Sequence, residues 1–158
     1  PDIFGLRPAF RQMGKRLAES GYAVLVVNPF YRVQKAPTAA KGAATPAEAK
    51  KAALTVALSP LVKTAMAGED VNWGRIMAAL GASGIRFDPD CVEIALDRIP
   101  VVRKGVGLGA AAERQAAVRM RRSEFDLTID LHKGTGQAAV LTTDLSEAYA
   151  RINAGYRS

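Results

Sequence analysis

The sequence predicts an α+β fold in which helices pack on a mainly antiparallel sheet, preceded by a helix–strand segment of the α/β type. Three observations predict it. Val92–Leu96, Ile99–Arg103, Phe125–Leu131 and Gln137–Thr143 are short apolar stretches, the clearest of them alternating with polar residues, and turn formers separate them, as in half-buried strands. Helix-like runs with their own start signals lie between and beside them, led by Thr45-Pro46-Ala47-Glu48. Tyr22–Val27 is nearly continuous and apolar and follows a helix-like run, Pro8–Ser20, across Gly21; that order is half of a βαβ unit.

Composition narrows the classes. A chain of 158 residues is long enough for one domain with a real core. No apolar run is long enough to span a bilayer, and no basic start leads into an apolar stretch as in a signal peptide. The chain begins at Pro1 rather than Met, which leaves room for an upstream part. One cysteine, Cys91, excludes an internal disulfide and suits a reducing compartment. With a single His, His132, beside it, a Cys/His zinc site is not expected. The net charge is +7, and residues 1–45 hold seven Lys/Arg against two Asp/Glu. The densest basic cluster, Arg119-Met120-Arg121-Arg122, closes a helix-like run, where cations complement the helix dipole. Without interleaved aromatics it reads as a solvated face, and a basic nucleic-acid-binding module is the lesser alternative.

Each element follows in order. Gln34–Pro46 is rich in Ala, Pro, Gly and Lys without periodicity and reads as a linker. A helix starts at Pro46, with Thr45 as cap and Glu48 in a capping box, and runs to about Leu58 before Ser59-Pro60 breaks it. Leu61–Ala67 alternates in part and reads as a strand. Gly68-Glu69-Asp70 turns the chain into a helix over Asn72–Leu80, with Asp70 suited to cap it. Arg86–Asp90 is a turn, and Asp97-Arg98 turns between two strands. Ala110–Arg122 is a helix. Phe125–Leu131 turns at Lys133–Gly136 and is answered by Gln137–Thr143 as its hairpin partner. Ser146–Ala154 closes as a helix.

Candidate chemistry is sparse. The stretch Ser59–Gly84 holds the only Trp, Trp73, and crowds Glu69, Asp70, Asn72 and Arg75 before an apolar run. Such a cluster either faces a ligand or serves as a cap and loop. Gly107-x-Gly109-x-x-Ala112, with Asp126 further on, imitates a dinucleotide fingerprint, but a hairpin context is not a βαβ unit. Cys91 and His132 could be paired as nucleophile and base, yet no nucleophile elbow frames either. Glu69 and Asp70 are neighbours in sequence, which does not make them a carboxylate pair. The C-terminal Asn153, Tyr156, Arg157 and Ser158 could frame a small polar substrate or fray.

Residues Ser59–Ala65, Gly68-Glu69-Asp70-x-Asn72-Trp73-Gly74-Arg75-Ile76, Phe87–Asp90, Asp144–Ser146 and Ile152-Asn153-Ala154-x-Tyr156-Arg157-Ser158 stand in an order that resembles the C-terminal part of ornithine acetyltransferase, the glutamate N-acetyltransferase of arginine biosynthesis. The resemblance covers about residues 55–158. Departures are Val71 where the family has Pro, Gly155 where it has an acidic residue, and Leu141-Thr142 near its usual Trp. The resemblance implies a precursor that cleaves itself before a Thr, which then accepts an acetyl group with its own amine as base. It implies transfer of acetyl from N-acetylornithine, or acetyl-CoA, to glutamate, no cofactor, a cytoplasmic location and a heterotetramer of two α and two β chains. It places no catalytic residue in this chain, since the matching runs begin after the nucleophile. It assigns substrate contacts to Asn153 and Ser158.

Asp2–Pro8, Arg16-Leu17-Ala18 and Gly21–Val26 resemble an early part of the dienelactone hydrolase family, an α/β-hydrolase. The implied division is a hydrolase-like fragment over 1–43 and an acetyltransferase-like domain over 44–158, joined in the linker. A hydrolase fragment is therefore the alternative function.

Overall fold

The computed structural model describes residues 35–155. The helix and strand expected within residues 8–27, and Ser158, lie outside them. Six strands form one sheet: β1 (Lys35–Ala43), β2 (Glu93–Leu96), β3 (Ile99–Arg103), β4 (Val106–Gly107), β5 (Leu127–Asp130) and β6 (Gly136–Thr143), in the spatial order β4-β3-β2-β5-β1-β6. β1 and β5 run parallel and every other pair is antiparallel. The helices are α1 (Pro46–Leu58), α2 (Pro60–Ala67), α3 (Trp73–Gly81), α4 (Ala110–Met120) and α5 (Glu147–Ala154). The α+β class expected from the sequence is the class observed.

The linker reading is overturned. Lys35–Ala43 is β1, which lies between β5 and β6. Its composition hides it because strand preference reflects packing more than backbone. Ala40 and Ala43 are fully buried, as are Ala49, Ala52, Ala53 and Val56 of α1. Small residues on both elements let the helix settle close to the strand, so apolar bulk would not fit. Pro37 pairs with Leu141 of β6, while pairing with β5 begins at Thr38.

The expected β5–β6 hairpin is also corrected. β6 pairs with β1, not β5, because β1 occupies the space between them. The connection bends around the end of β1, where the Lys133 and Gly134 N–H groups donate to the Gly42 carbonyl at 2.6 and 2.8 Å. A Cβ on Gly134 would stand 2.7 Å from the Ala43 carbonyl oxygen, so the glycines mark a close crossing of two segments and not only a turn.

Leu61–Ala67 is helical. Ser59 Oγ caps α2 by accepting from the Val62 N–H at 3.4 Å, and Pro60 holds the first turn. Val62, Ala65 and Met66 are buried at i, i+3 and i+4, a helical stripe that a short partial alternation concealed. α1 begins at Pro46 as expected, with the Glu48 N–H donating to Thr45 Oγ1 at 3.1 Å, but the return half of the capping box does not form: the Glu48 carboxylate lies 3.8 Å from Lys133 Nζ instead. Val92, Ile94, Leu96, Phe125, Leu127 and Ile129 all bury into the core, fixing the register of β2 and β5 against the helices.

Candidate functional site

The crowded stretch before α3 is spent on its own architecture. Asp70 does not cap the helix: Asn72 does, its Oδ1 accepting from the Arg75 N–H at 3.2 Å. Asp70 instead braces Asn72, accepting from its N–H at 3.1 Å and its Nδ2 at 2.8 Å. Asn72 needs that brace because its backbone sits at φ 18°, a poorly populated angle. Arg75 Nη1 donates to the Leu61 carbonyl at 3.1 Å and to Thr64 Oγ1 at 3.3 Å, tying α3 to α2. Glu69 pairs with Arg121 at 3.0 Å. These bonds turn the polar cluster into a scaffold for the α2–α3 corner.

Gly107 and Gly109 do not cradle a cofactor. Gly107 ends β4, an antiparallel neighbour of β3, and Gly109 follows it as the N-cap of α4, so the two glycines do not open the helix of a parallel βαβ unit. A Cβ at Gly107 would lie 2.7 Å from the Trp73 ring, so this glycine makes room for the indole. Trp73 Nε1 in turn donates to Glu113 Oε1 of α4 at 3.2 Å. Gly109 precedes α4 at φ 85°, a conformation open to glycine. The Asp126 N–H donates to Asp97 Oδ1 at 2.8 Å, joining the start of β5 to the β2–β3 turn.

Cys91 and His132 stand in separate polar settings. The Cys91 thiol contacts Asp88 Oδ2 at 3.5 Å. That carboxylate, first among the causes, pushes the thiol above its usual 9.0, away from a reactive thiolate. His132 Nε2 lies 3.5 Å from Glu93 Oε2, and its Nδ1 lies 3.8 Å from Asp130 Oδ1. In the basic cluster, Arg121 is paired with Glu69 and Arg122 with Asp97 at 3.2 Å, which supports the solvated-face reading.

Sequence reading missed two charged groupings. Lys41 Nζ bonds Asp130 Oδ2 at 2.9 Å beside a groove of about 80 Å³ lined by Glu93, Ala95, Pro100 and Thr128. Burial pushes the Asp130 carboxyl up, but the bonds from Lys41 and the His132 N–H together outweigh it and leave the pKa below 3.8. Alternation in β5 had already set Thr128 and Asp130 on the polar face; the partner was hidden in the supposed linker. The second grouping is Lys63 and Asp144. Both are partly buried, and burial pushes the Lys63 ammonium down and the Asp144 carboxyl up.

Asn153 lies on α5, exposed, with Nδ2 donating to the Tyr149 carbonyl one turn earlier at 2.8 Å. That bond fixes the carboxamide and leaves Oδ1 open toward solvent among the described residues. α5 starts where the sequence put it, with Ser146 Oγ accepting from the Tyr149 N–H at 3.2 Å. Ser158, the other expected substrate contact, lies outside the described residues. Among the described residues no group of three His, Cys, Asp or Glu is arranged to hold a metal, and no helix is long and apolar enough to cross a membrane.

The model of the ArgJ family matches residues 35–158. The arginine biosynthesis bifunctional protein ArgJ of Geobacter sulfurreducens is 50% identical over 118 residues, which cover 75% of this chain and 30% of that protein. Its counterpart in Syntrophotalea carbinolica is 49% identical over 117 residues, covering 74% of this chain and 30% of that protein. The chain thus spans about 30% of the length of these relatives. The crystal structure of arginine biosynthesis bifunctional protein ArgJ from Bacillus halodurans superimposes with a TM-score of 0.73 at 31% identity, covering 92% of this chain and 64% of that one.

Proposed function

The chain belongs to the ArgJ family, and from that premise we propose that it is the C-terminal part of an acetyltransferase of arginine biosynthesis. It works on acetyl transfer from N-acetylornithine, or acetyl-CoA, to glutamate. The observation that carries this reading is the family match across the whole described fold. The acetyl-accepting Thr belongs to a part of the enzyme outside residues 35–158. Thr45, the one tempting substitute, has its hydroxyl engaged as the cap of α1 and no free amine to act as its base.

In this reading Asn153 and Ser158 contact the amino-acid substrate. The exposed Asn153 carboxamide, held by Tyr149, suits a polar group of a small ligand. The complete enzyme is a cytoplasmic heterotetramer of two α and two β chains. The exposed Leu58, Leu61, Leu141 and Ile152 support further packing against other chain. We place the start of the family-like unit at residue 35, a reading supported by the place of β1 in the sheet and by the extent of the match. The hydrolase-like fragment rests on sequence resemblance alone.

The test is a paired assay. The purified chain is expected to show no acetyl transfer from N-acetylornithine to glutamate, yet to bind one of these substrates by calorimetry, and Asn153→Ala should weaken that binding roughly tenfold. Turnover that survives Thr45→Ala would show that the nucleophile has been misplaced. Binding unchanged by Asn153→Ala would remove Asn153 from the site.

A further inference from the structure

β6 closes one end of the sheet, and among the described residues no strand pairs with its outer side. Which of its backbone groups face outward follows from its neighbour. The Leu131 N–H donates to the Lys41 carbonyl at 2.9 Å, so the backbone of Lys41 points toward β5. Backbone groups alternate sides along a strand, so those of Thr38 and Ala40 point the other way, to their partners Val140 and Ala138. Ala139, Leu141 and Thr143 then turn their N–H and C=O groups away from β1. Such an edge is a template for another strand, and proteins commonly guard it with charge, proline, a bulge or shortness. β6 runs over Gly136–Thr143 without a charged residue or a proline, and its one irregularity against β1 lies before Ala138. The opposite edge of the sheet, β4, is only two residues long. Leu141 is 77% exposed, the most exposed large apolar side chain among the described residues.

We propose that the outer edge of β6 receives a β-strand from the part of the acetyltransferase that lies outside residues 35–158, through main-chain hydrogen bonds at Ala139, Leu141 and Thr143. The inference rests on the reading of this chain as the C-terminal part of a longer enzyme. The chain spans about 30% of the relatives it matches, so most of such an enzyme lies elsewhere and needs a surface on which to meet this fold. The edge itself favours that occupant. Strand addition draws its affinity from the main chain, and an uncharged edge with one exposed leucine asks for an extended, largely apolar segment. An unguarded edge is safe where its partner is made in equal amount, as another part of one enzyme is. A charge or proline set against strangers would bar that partner as well.

Co-expression tests this. The full chain is produced together with the part of the Geobacter sulfurreducens ArgJ protein that it does not match, and amide hydrogen exchange is read in the complex and in the chain alone. The N–H groups of Ala139, Leu141 and Thr143 should slow roughly tenfold or more in the complex. Those of Ala138 and Val140, already bonded to β1, should change less than about twofold. Leu141→Pro removes only an outward N–H, so the chain alone should keep its melting temperature and lose the complex. Ala139→Pro should do the same. Val140→Pro removes a bond to β1 and should lower the melting temperature of the chain itself. The exchange arm uses no substitution, so it stands whatever a proline does to the strand. No complex, a complex without that protection, or one that survives both outward prolines would overturn the proposal. So would protection of the three groups that rises with the concentration of the chain alone, since the edge would then belong to a second copy. Acetyl transfer is read separately. A protected but inactive complex leaves the edge standing and counts against the acetyltransferase reading; an active complex without protection does the reverse.

Discussion

At the scale of single residues, charge is handled by local partners. Asp130 accepts from the Lys41 ammonium and the His132 N–H, and Gly42 stays glycine because a Cβ there would run into the Asp130 carboxylate. The lowered pKa of Asp130 means that the ionised form is favoured by folding. Its contribution is present above 3.8 and is lost as pH falls through the lower folded value. Lys41 is raised by the same partner, so its contribution holds below 10.5 and fades above the folded value. Asp130→Asn should therefore be less stable than the native chain at neutral pH, and the gap should close as pH falls below 3.8 through the lower folded value. Urea unfolding at neutral and at acid pH measures it; a gap that does not narrow in acid would refute the assignment.

At the scale of elements, close contacts between backbones and rings decide placement. Trp73 of α3 lies on Gly107 of β4 and bonds Glu113 of α4, so one indole joins three elements. Gly107→Ala forces a methyl to within 2.7 Å of the ring. The expected cost is about 1–3 kcal/mol, and the ring must move toward water. Trp73 is the only tryptophan, so its fluorescence reports the shift directly. An unchanged emission maximum together with an unchanged melting temperature would show that the contact is loose. Ser59 shows the same economy, ending α1 and capping α2 in one residue. That double duty is why Ser59-Pro60 reads as a break and is also a start.

For the molecule as a whole, β1 is the member on which the sheet depends. It gives its two edges to β5 and β6, and α1 packs across it. A chain that starts at residue 35 should unfold in one cooperative thermal transition. One that starts at residue 44 should not, because β6 would lose its strand partner and the alanines of α1 would face a gap. Circular dichroism melts of the two chains decide it; equal transitions would return the boundary to residue 44.

Local chemistry was legible wherever a residue acts on its immediate neighbours. Thr45 as the cap of α1, the Asp97-Arg98 turn, the alternation of Leu127–Asp130 and the closing helix after Ser146 all follow from short-range rules, and so does the α+β class. The uncommon runs over Ser59–Ser158 also sufficed to mark the family. What the sequence did not disclose was every feature made by distant pairs. β1 looks like a linker because its alanines matter only against α1, and the β5–β6 hairpin looks complete until a strand arrives from elsewhere to fill it. Lys63 and Leu145 are far apart in the chain, and Leu61–Ala67 alternates like a strand, so the bond from the Leu145 N–H to the Lys63 carbonyl has no local sign. Caps and turns are written in a few consecutive residues; the order of strands and the bonds between distant segments depend on which surfaces must be buried together, and only the folded chain decides that.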